Sequence, residues 1–396
     1  MKKTLLFSAY IWLSLVMSAQ TPPVDDNWII SVNEDFTKNG RTWISWNFYS
    51  SDAVIRAYPG DGVTHGSECQ VYQFNNCRFN DLDDVMELVA EYDTYGKIAN
   101  HDYLLPTWMH TYPSSNELYY FSGEIDYIDR SHRTPEEGIF LYGYFEIRCK
   151  LPTHKGAFPA FWLHAANDVS FNDKFYEEID IFEYSWNLGD PNSTAWGIQN
   201  PNSTYAGDPK VFTTGIYHNL TGQSINFATD SYARNYPFVP SNTGDLNDWH
   251  VYSCEWMPDH VYWYLDGNLV NSYTDQNHIP RHPMILKTNY AIDNYCSHNG
   301  SLWMASDTMT IDYIKVYGLN WDCDTEEIIT SQSELDNFDF GVKKSIEISS
   351  PVSPITISST DKKSFRATDY FQITGPFQTQ YGGEFSVIIQ DCLTNK

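Results

Sequence analysis

Apolar and polar residues alternate with a period of two in several stretches of this chain, and that pattern restricts the fold most. In GYFEIRCKLP, residues 143–152, every second position from Phe145 to Leu151 is apolar or Cys, and the positions between them are Tyr or charged. HVYWYLDGNLVNSY, residues 260–273, places Asp266-Gly267 between two strand-like runs, as in a tight hairpin. LDDVMELVAEYD, residues 82–93, fits either a helix or a strand. Many short strands separated by turns predict an all-β sandwich.

Composition divides the 396 residues into three parts. Residues 1–19 combine Lys2 and Lys3 with a short apolar run and small residues, which predicts a signal peptide and an exported protein, either secreted or periplasmic or on the cell surface. No Cys follows directly, so a lipoprotein is not predicted, and no later run is long enough to span a membrane. Beyond Trp321, the last Trp, the sequence is rich in Ser, Thr, Ile and Asp. We predict one β domain over 20–321, then over 322–396 a linker near 324–342 and a small β module with a spacer or docking role.

The charge of the chain bears on its partners. It carries 51 acidic and 24 basic residues, a formal charge of −27. Such a field repels polyanions, which excludes nucleic acid and disfavours heavily sulfated polymers. Aromatic residues make up 16% of the chain, which suits both β packing and sugar-binding surfaces. We expect a monomer.

Seven cysteines give an odd count, and export permits disulfides. Cys69 and Cys77 would close a short loop, and Cys323 and Cys392 bracket the C-terminal segment. At least one thiol stays unpaired in a monomer. No CxxC pair occurs, so a zinc ribbon has no support.

Three carboxylates crowd the strand-like segment EEIDIFEYSW, residues 177–186. Glu178 and Asp180 are two apart and share a face of a strand, but Glu183 would point to the opposite face. A β-bulge absorbs one residue and returns Glu183 to that face. The two Glu Cα atoms would then lie about 13 Å apart, at about 3.3 Å per step, and inward-leaning carboxyls about 5–6 Å apart. That separation is near the roughly 5–5.5 Å of a retaining glycosidase.

The segment Glu178-Ile-Asp-Ile-Phe-Glu183 resembles the bulged E-x-D-x-x-E signature of glycoside hydrolase family 16, the group of laminarinases, lichenases, agarases and carrageenases. Further blocks follow the family order: YGYFEIRCKLP, GAFPAFWLH, DWHVYSCEWMPDHVYWYLDG and TIDYIKVYG. The similarity spans roughly residues 26–318. A second acidic stretch, GEIDYIDR (residues 123–130), occupies the position of a preceding scaffold strand of the family, so we interpret its acids as structural.

The resemblance implies an antiparallel β-jelly-roll with an open, sugar-binding concave cleft. It also implies roles: Glu178 as nucleophile, Glu183 as general acid/base, and Asp180 as an assisting carboxylate that hydrogen-bonds the nucleophile. Candidate substrate-binding residues are Tyr176, Trp186, His218, Asn289, Phe158 and Trp162, although His218 has a structural role as an equal alternative and Trp162 is more often a core residue. No cofactor is required for catalysis. The family position of Asp312, and of Glu34 and Asp35, makes them candidate ligands of a structural calcium.

Some positions depart from the family pattern. Phe158 stands where the family usually has Trp, Glu177 where many laminarinases have Gly, and NYAIDNYC replaces their L-A-V-G-G stretch. The reaction class is therefore better defined than the substrate. We predict a retaining endo-β-glycanase acting on β-1,3 or mixed-linkage glucan. The alternatives are a β-galactanase of the agarase or porphyranase kind and a non-catalytic carbohydrate-binding surface protein.

Overall fold

The structure is a computed structural model. It describes residues 28–37, 46–48, 70–72, 74–92, 120–127, 140–154, 156–165, 176–184, 210–219, 229–240, 243–282, 284–292, 306–318, 321–338, 341–359, 362–381 and 384–389. The predicted signal peptide and Cys69, Trp186 and Cys392 lie outside these residues. No helix among the described residues is both long and apolar enough to cross a membrane.

Strands dominate the part of the chain described. The first seventeen are β1 (Ile29–Glu34), β2 (Trp46–Phe48), β3 (Gln70–Tyr72), β4 (Cys77–Asn80), β5 (Val85–Tyr92), β6 (Tyr120–Ser122), β7 (Glu124–Tyr127), β8 (Gly143–Lys150), β9 (Ala157–Ala165), β10 (Tyr176–Glu183), β11 (Thr213–Asn219), β12 (Ser231–Asn235), β13 (His250–Trp256), β14 (Val261–Leu265), β15 (Asn268–Tyr273), β16 (Met284–Ile292) and β17 (Ser306–Gly318), with a 3-10 turn at Phe74–Asn76. The ambiguous segment 82–93 is resolved as the strand β5.

Two sheets form a sandwich. One has the order β15-β14-β13-β8-β17-β5-β6-β3, with β1 paired to β17 and β4 to β5, and the other has the order β12-β11-β10-β9-β16-β7-β2. Their pairing is antiparallel except between β3 and β6. Alternation drives the packing: Ile147 of β8 and Ile179 of β10 are fully buried in one core between the sheets. The predicted all-β antiparallel sandwich is confirmed.

The remaining elements are β18 (Trp321–Ile329), α1 (Gln332–Asp336), β19 (Val342–Ile348), β20 (Ile355–Ile357), β21 (Lys362–Ile373), β22 (Phe377–Thr379) and β23 (Glu384–Ile389). The predicted linker over 324–342 is wrong, because β18 and α1 occupy most of it. Strands β18-β19-β21-β23 pair in parallel, and β20 pairs in parallel with β22. Ile355 lies opposite Phe377, and Lys362 opposite Glu384, so the partners in these two strand pairs are 22 residues apart. A separate apolar cluster, which includes Ile346 and Phe365, fills this stack.

The cysteines follow the prediction in part. Cys323 is disulfide-bonded, although its predicted partner Cys392 lies outside the described residues. Cys77 is a buried thiol outside any disulfide, and its Sγ donates to the carbonyl oxygen of Glu124 at 3.4 Å. The Cys69–Cys77 bridge is therefore wrong. Cys149 and Cys254 are also free and buried, because they point into the core between the sheets.

Candidate active site

Strand β10 carries a one-residue bulge. Asp180 lies opposite Trp162 of β9. Glu183, three residues further along β10, lies opposite Ala160, which is only two residues from Trp162. The pairing with β11 shifts at the same place. The predicted bulge is confirmed. Since cross-strand partners share a face, Glu178, Asp180 and Glu183 all point away from the core.

The opposite sheet holds the bulge in place. Trp263 of β14 is fully buried, and its indole Nε1 donates to the carbonyl oxygen of Asp180 at 2.8 Å. A bulge leaves backbone groups outside the regular ladder, and a buried unpaired carbonyl is costly. The indole therefore stabilises the irregular backbone on which the carboxyl groups depend.

Glu178 is 7% exposed and accepts a hydrogen bond from the hydroxyl of Tyr176, at 2.5 Å. The two residues are two apart on β10 and share a face. Sequence reasoning proposed Tyr176 as a stacking platform for sugar. The structure places it beside the site, where it orients Glu178.

Asp180 is almost fully buried, between two other acids. Burial, and next the charges of Glu183 and Glu178, raise the pKa of Asp180 well above its usual range. A hydrogen bond joins its side chain to that of Glu183 and acts in the same direction. This environment favours the protonated form of Asp180, which can donate that hydrogen bond. We expected it to hydrogen-bond the nucleophile, whereas this bond goes to Glu183.

Trp162 and Asn289 lie next to the carboxyl groups on the same face. The indole Nε1 of Trp162 donates to Oδ1 of Asn289 at 2.8 Å, and Nδ2 of Asn289 donates to the hydroxyl of Tyr72 at 2.8 Å. Both predicted residues are buried, at 7% and 3% exposure. Their hydrogen bonds join them to each other, so the floor of the site is rigid.

Sequence reasoning missed His164, which lies opposite Glu178 on β9. Its ring lies edge-on to Trp162, with centroids 5.5 Å apart, and edge-on to Tyr176, with centroids 5.2 Å apart. The alternation Phe158, Ala160, Trp162, His164 would have placed it on this face. Phe158 shares that face and is buried, opposite Ala291 of β16.

The second acidic stretch also reaches this face. Glu124 and Asp126 of β7 lie opposite Asn289 and Lys287 of β16. The ammonium nitrogen of Lys287 is 3.7 Å from Glu124 and 3.8 Å from Asp126, and all three residues are at most 2% exposed. Lys287 also lies over the ring of Trp162, 5.1 Å from its centroid. The cluster supports Trp162, in keeping with a structural interpretation of these acids.

His218 lies on the other face of the sheet. It is opposite Glu177, and its Nε2 is 3.2 Å from Oε1 of that residue. His282 contacts the other oxygen of Glu177 at 3.0 Å, and the backbone amides of Arg281 and His282 donate to the same carboxylate. These hydrogen bonds keep the pKa of Glu177 low despite its burial. The placement favours the structural role of His218 over a sugar contact. Trp186 lies outside the described residues.

Each of the three candidate calcium ligands has a protein partner. Asp312 forms an ion pair with Arg148. Glu34 accepts from the amide of Phe36 at 3.0 Å, and Asp35 accepts from the amide of Thr37 at 3.1 Å. No cluster of three or more His, Cys, Asp or Glu residues among the described residues is arranged to hold a metal. A structural calcium at these residues stays a prediction.

Comparisons with known proteins agree with this geometry. The model of Glycosyl hydrolases family 16 matches residues 131–315. An endo-1,3-1,4-beta-glycanase, EglC, of Rhizobium meliloti is 23% identical over 210 residues, 53% of this chain and 37% of that protein. Glucan endo-1,3-beta-glucosidase A1 of Niallia circulans is 29% identical over 214 residues, 50% of this chain and 26% of that protein. The matches thus span only about a quarter to a third of these relatives' lengths.

The fold has a solved counterpart. The laminarinase catalytic domain of Thermotoga maritima superimposes with a TM-score of 0.52 at 22% identity, over 74% of this chain and all of that one. The predicted jelly-roll is thereby confirmed. The family blocks, the bulged strand and the matching family model lead to one assignment: residues 131–315 belong to glycosyl hydrolases family 16.

Proposed function

We propose that this chain is an exported, retaining endo-β-glycanase that cleaves β-1,3 or mixed-linkage β-glucan. The observation that carries the proposal is the bulge that brings Glu178, Asp180 and Glu183 onto one face of β10. Two carboxyl groups four strand steps apart on one face can flank a glycosidic bond at the short spacing that displacement through a covalent intermediate requires. Export is supported by the pattern of residues 1–19.

Each carboxyl has a role in this scheme. Glu178 attacks the anomeric carbon and forms a glycosyl-enzyme, while Glu183 protonates the leaving oxygen. Glu183 then takes a proton from water, which displaces Glu178 and completes retention. Asp180 donates a hydrogen bond to Glu183. Because that bond stabilises the carboxylate of Glu183, it helps the acid to release its proton.

The substrate class is supported by similarity rather than by geometry. Two relatives are named for β-1,3 or β-1,3-1,4 cleavage. The charge of −27 also disfavours a polyanionic glycan. A neutral β-galactan is the alternative.

Reducing-end release from laminarin, lichenan, agarose and a sulfated galactan tests this function. We expect activity on one or both glucans and none in Glu178→Ala. Activity on agarose alone would support the galactanase alternative. Binding without cleavage by the wild-type chain would support a carbohydrate-binding protein and refute the enzyme.

We also propose that residues 20–321 act as the catalytic domain and 322–396 as an accessory module. Support comes from the separate apolar cluster of the C-terminal stack. A chain ending at Asn320 should keep most of its specific activity on soluble glucan. A folded but inactive truncation would contradict this boundary.

A further inference from the structure

One row of residues crosses the seven-stranded sheet at the level of Asp180. Its cross-strand partners are Trp162 on β9 and Gly215 on β11. Lys287 of β16 lies beyond Trp162. On the other side, Thr214 of β11 pairs with Asn235 of β12, and Ile216 pairs with Tyr232. Gly215 lies between Thr214 and Ile216, so both Ala233 and Arg234 oppose it.

The bulge in β12 directs Arg234 toward the carboxyl groups. Ala233 has a positive φ of 54°, which bends the strand there. The next residue, Asn235, donates to the carbonyl oxygen of Val270 in the opposite sheet, so it faces inward. Arg234 therefore faces outward with Asp180, because adjacent strand residues alternate.

Electrostatics place Arg234 within reach of the site. Its charge opposes the rise in the pKa of Asp180, and it has the same effect on the buried hydroxyl of Tyr217. Tyr217 lies opposite Glu178. The guanidinium is thus close enough to Asp180 and Tyr217 to lower the pKa of both groups.

The guanidinium retains an unused donor. Among the described residues, Nη2 of Arg234 is buried and has no hydrogen-bond partner. A buried cationic donor without an acceptor is costly, and a ligand that supplies the acceptor removes that cost. Gly215, which lies opposite Asp180, has no side chain to cover this face. A Cβ built there would be in van der Waals contact with Oδ2 of Asp180, at 3.7 Å, and with the carbonyl oxygen of Tyr232, at 3.8 Å.

We infer that Arg234 is a substrate-binding residue that donates to an uncharged oxygen of the sugar lying over Gly215, on the β11–β12 side of the scissile bond. The inference rests on the proposed function and narrows its substrate to a neutral glycan. An acidic substituent at this position would face Glu178, Asp180 and Glu183. The net charge of −27 on the chain also disfavours a further negative charge there.

Steady-state kinetics on laminarin and lichenan test the inference with Arg234→Gln, Arg234→Lys and a control, Arg78→Gln. Arg78 is exposed and pairs with Glu91 in the other sheet. We expect Arg234→Gln to raise KM about 10- to 100-fold, the range of one charge-assisted hydrogen bond. Arg234→Lys keeps the charge but loses the planar guanidinium, so its KM should lie between those of the wild type and Arg234→Gln. Arg78→Gln should match the wild type.

Binding of a β-1,3-glucan hexasaccharide to the Glu178→Ala chain, measured by calorimetry, separates affinity from turnover. Adding Arg234→Gln should raise the Kd for the hexasaccharide by the same factor as it raises KM. An unchanged Kd and KM, with only a shift of the pH profile, would overturn the inference, because Arg234 would then act only on the carboxyl groups. If the wild type cleaves a sulfated galactan and Arg234→Gln does not, the inference that the substrate is neutral is overturned. If the wild type neither cleaves nor binds any glycan, the proposed function itself fails.

Discussion

Glu146 offers a quantitative test of how burial of a carboxyl affects this fold. It lies on β8, fully buried, on the face of its sheet that points away from the sandwich core. Tyr313 donates to Oε1 at 2.9 Å, and Oε2 is buried without a hydrogen-bond partner among the described residues. Burial raises the pKa of Glu146 from 4.5 to about 7. The folded chain therefore binds this proton more tightly than the unfolded chain does.

The direction of the pH effect follows from that difference. Below pH 4.5 the group is protonated in both states, and the contribution of Glu146 to stability is fully present. Stability is lost as pH rises from 4.5 to about 7, a window of 2.5 pH units. At about 1.36 kcal/mol per unit the loss reaches about 3 kcal/mol. Glu146→Gln removes the charge and keeps an oxygen that accepts from Tyr313.

The assay is urea unfolding of wild type and Glu146→Gln at several pH values from 4 to 8. We expect the variant to gain about 3 kcal/mol over wild type between the two ends, with an unchanged m value. Glu91→Gln is the control, because Glu91 forms an exposed ion pair with Arg78 and such pairs contribute at most about 1 kcal/mol. A difference between Glu146→Gln and wild type that stays flat across this range would refute the reasoning.

Three further changes test contacts around the site and the core. Tyr176→Phe removes the hydrogen bond to Glu178 and should lower kcat/KM about tenfold at unchanged thermal stability, whereas unaltered kinetics would show that Glu178 is held without it. Trp263→Phe leaves the carbonyl of Asp180 unpaired, so the free energy of unfolding should fall by about 1–3 kcal/mol and activity should fall with it. If neither falls, the bulge persists without the indole. Cys77 should react with a thiol reagent only after denaturation, because burial raises the pKa of its thiol, and mass spectrometry that found it in a native disulfide would contradict this.

The sequence predicted the part of the site that depends on spacing along one strand. Glu178 and Glu183 are five residues apart, so in a regular strand they would lie on opposite faces unless a bulge absorbed one residue. The strand pairing does shift between Asp180 and Glu183. Strand alternation likewise predicted the burial of Ile147. Local periodicity is sufficient for these features because they involve neighbours in the chain.

Features that depend on contacts between distant residues were less predictable. The parallel stacking of β21 on β23 joins Lys362 to Glu384, and no repeated motif marks that register. The spacing of Cys69 and Cys77 allowed a disulfide, but a sequence does not show that Cys77 faces the carbonyl of Glu124. Arg234 reaches the site only through a bulge, and nothing in its flanking residues indicates one.

The catalytic roles of the two glutamates are the central claim, and azide rescue tests them most directly. In Glu183→Ala, an activated aryl β-glycoside still forms the glycosyl-enzyme, and azide needs no base to displace Glu178. We predict faster turnover with azide and a β-glycosyl azide product. In Glu178→Ala, azide takes the place of the nucleophile and should give the α-azide. A β-azide from the Glu178 variant would contradict the account, because the roles of the two residues would then be exchanged.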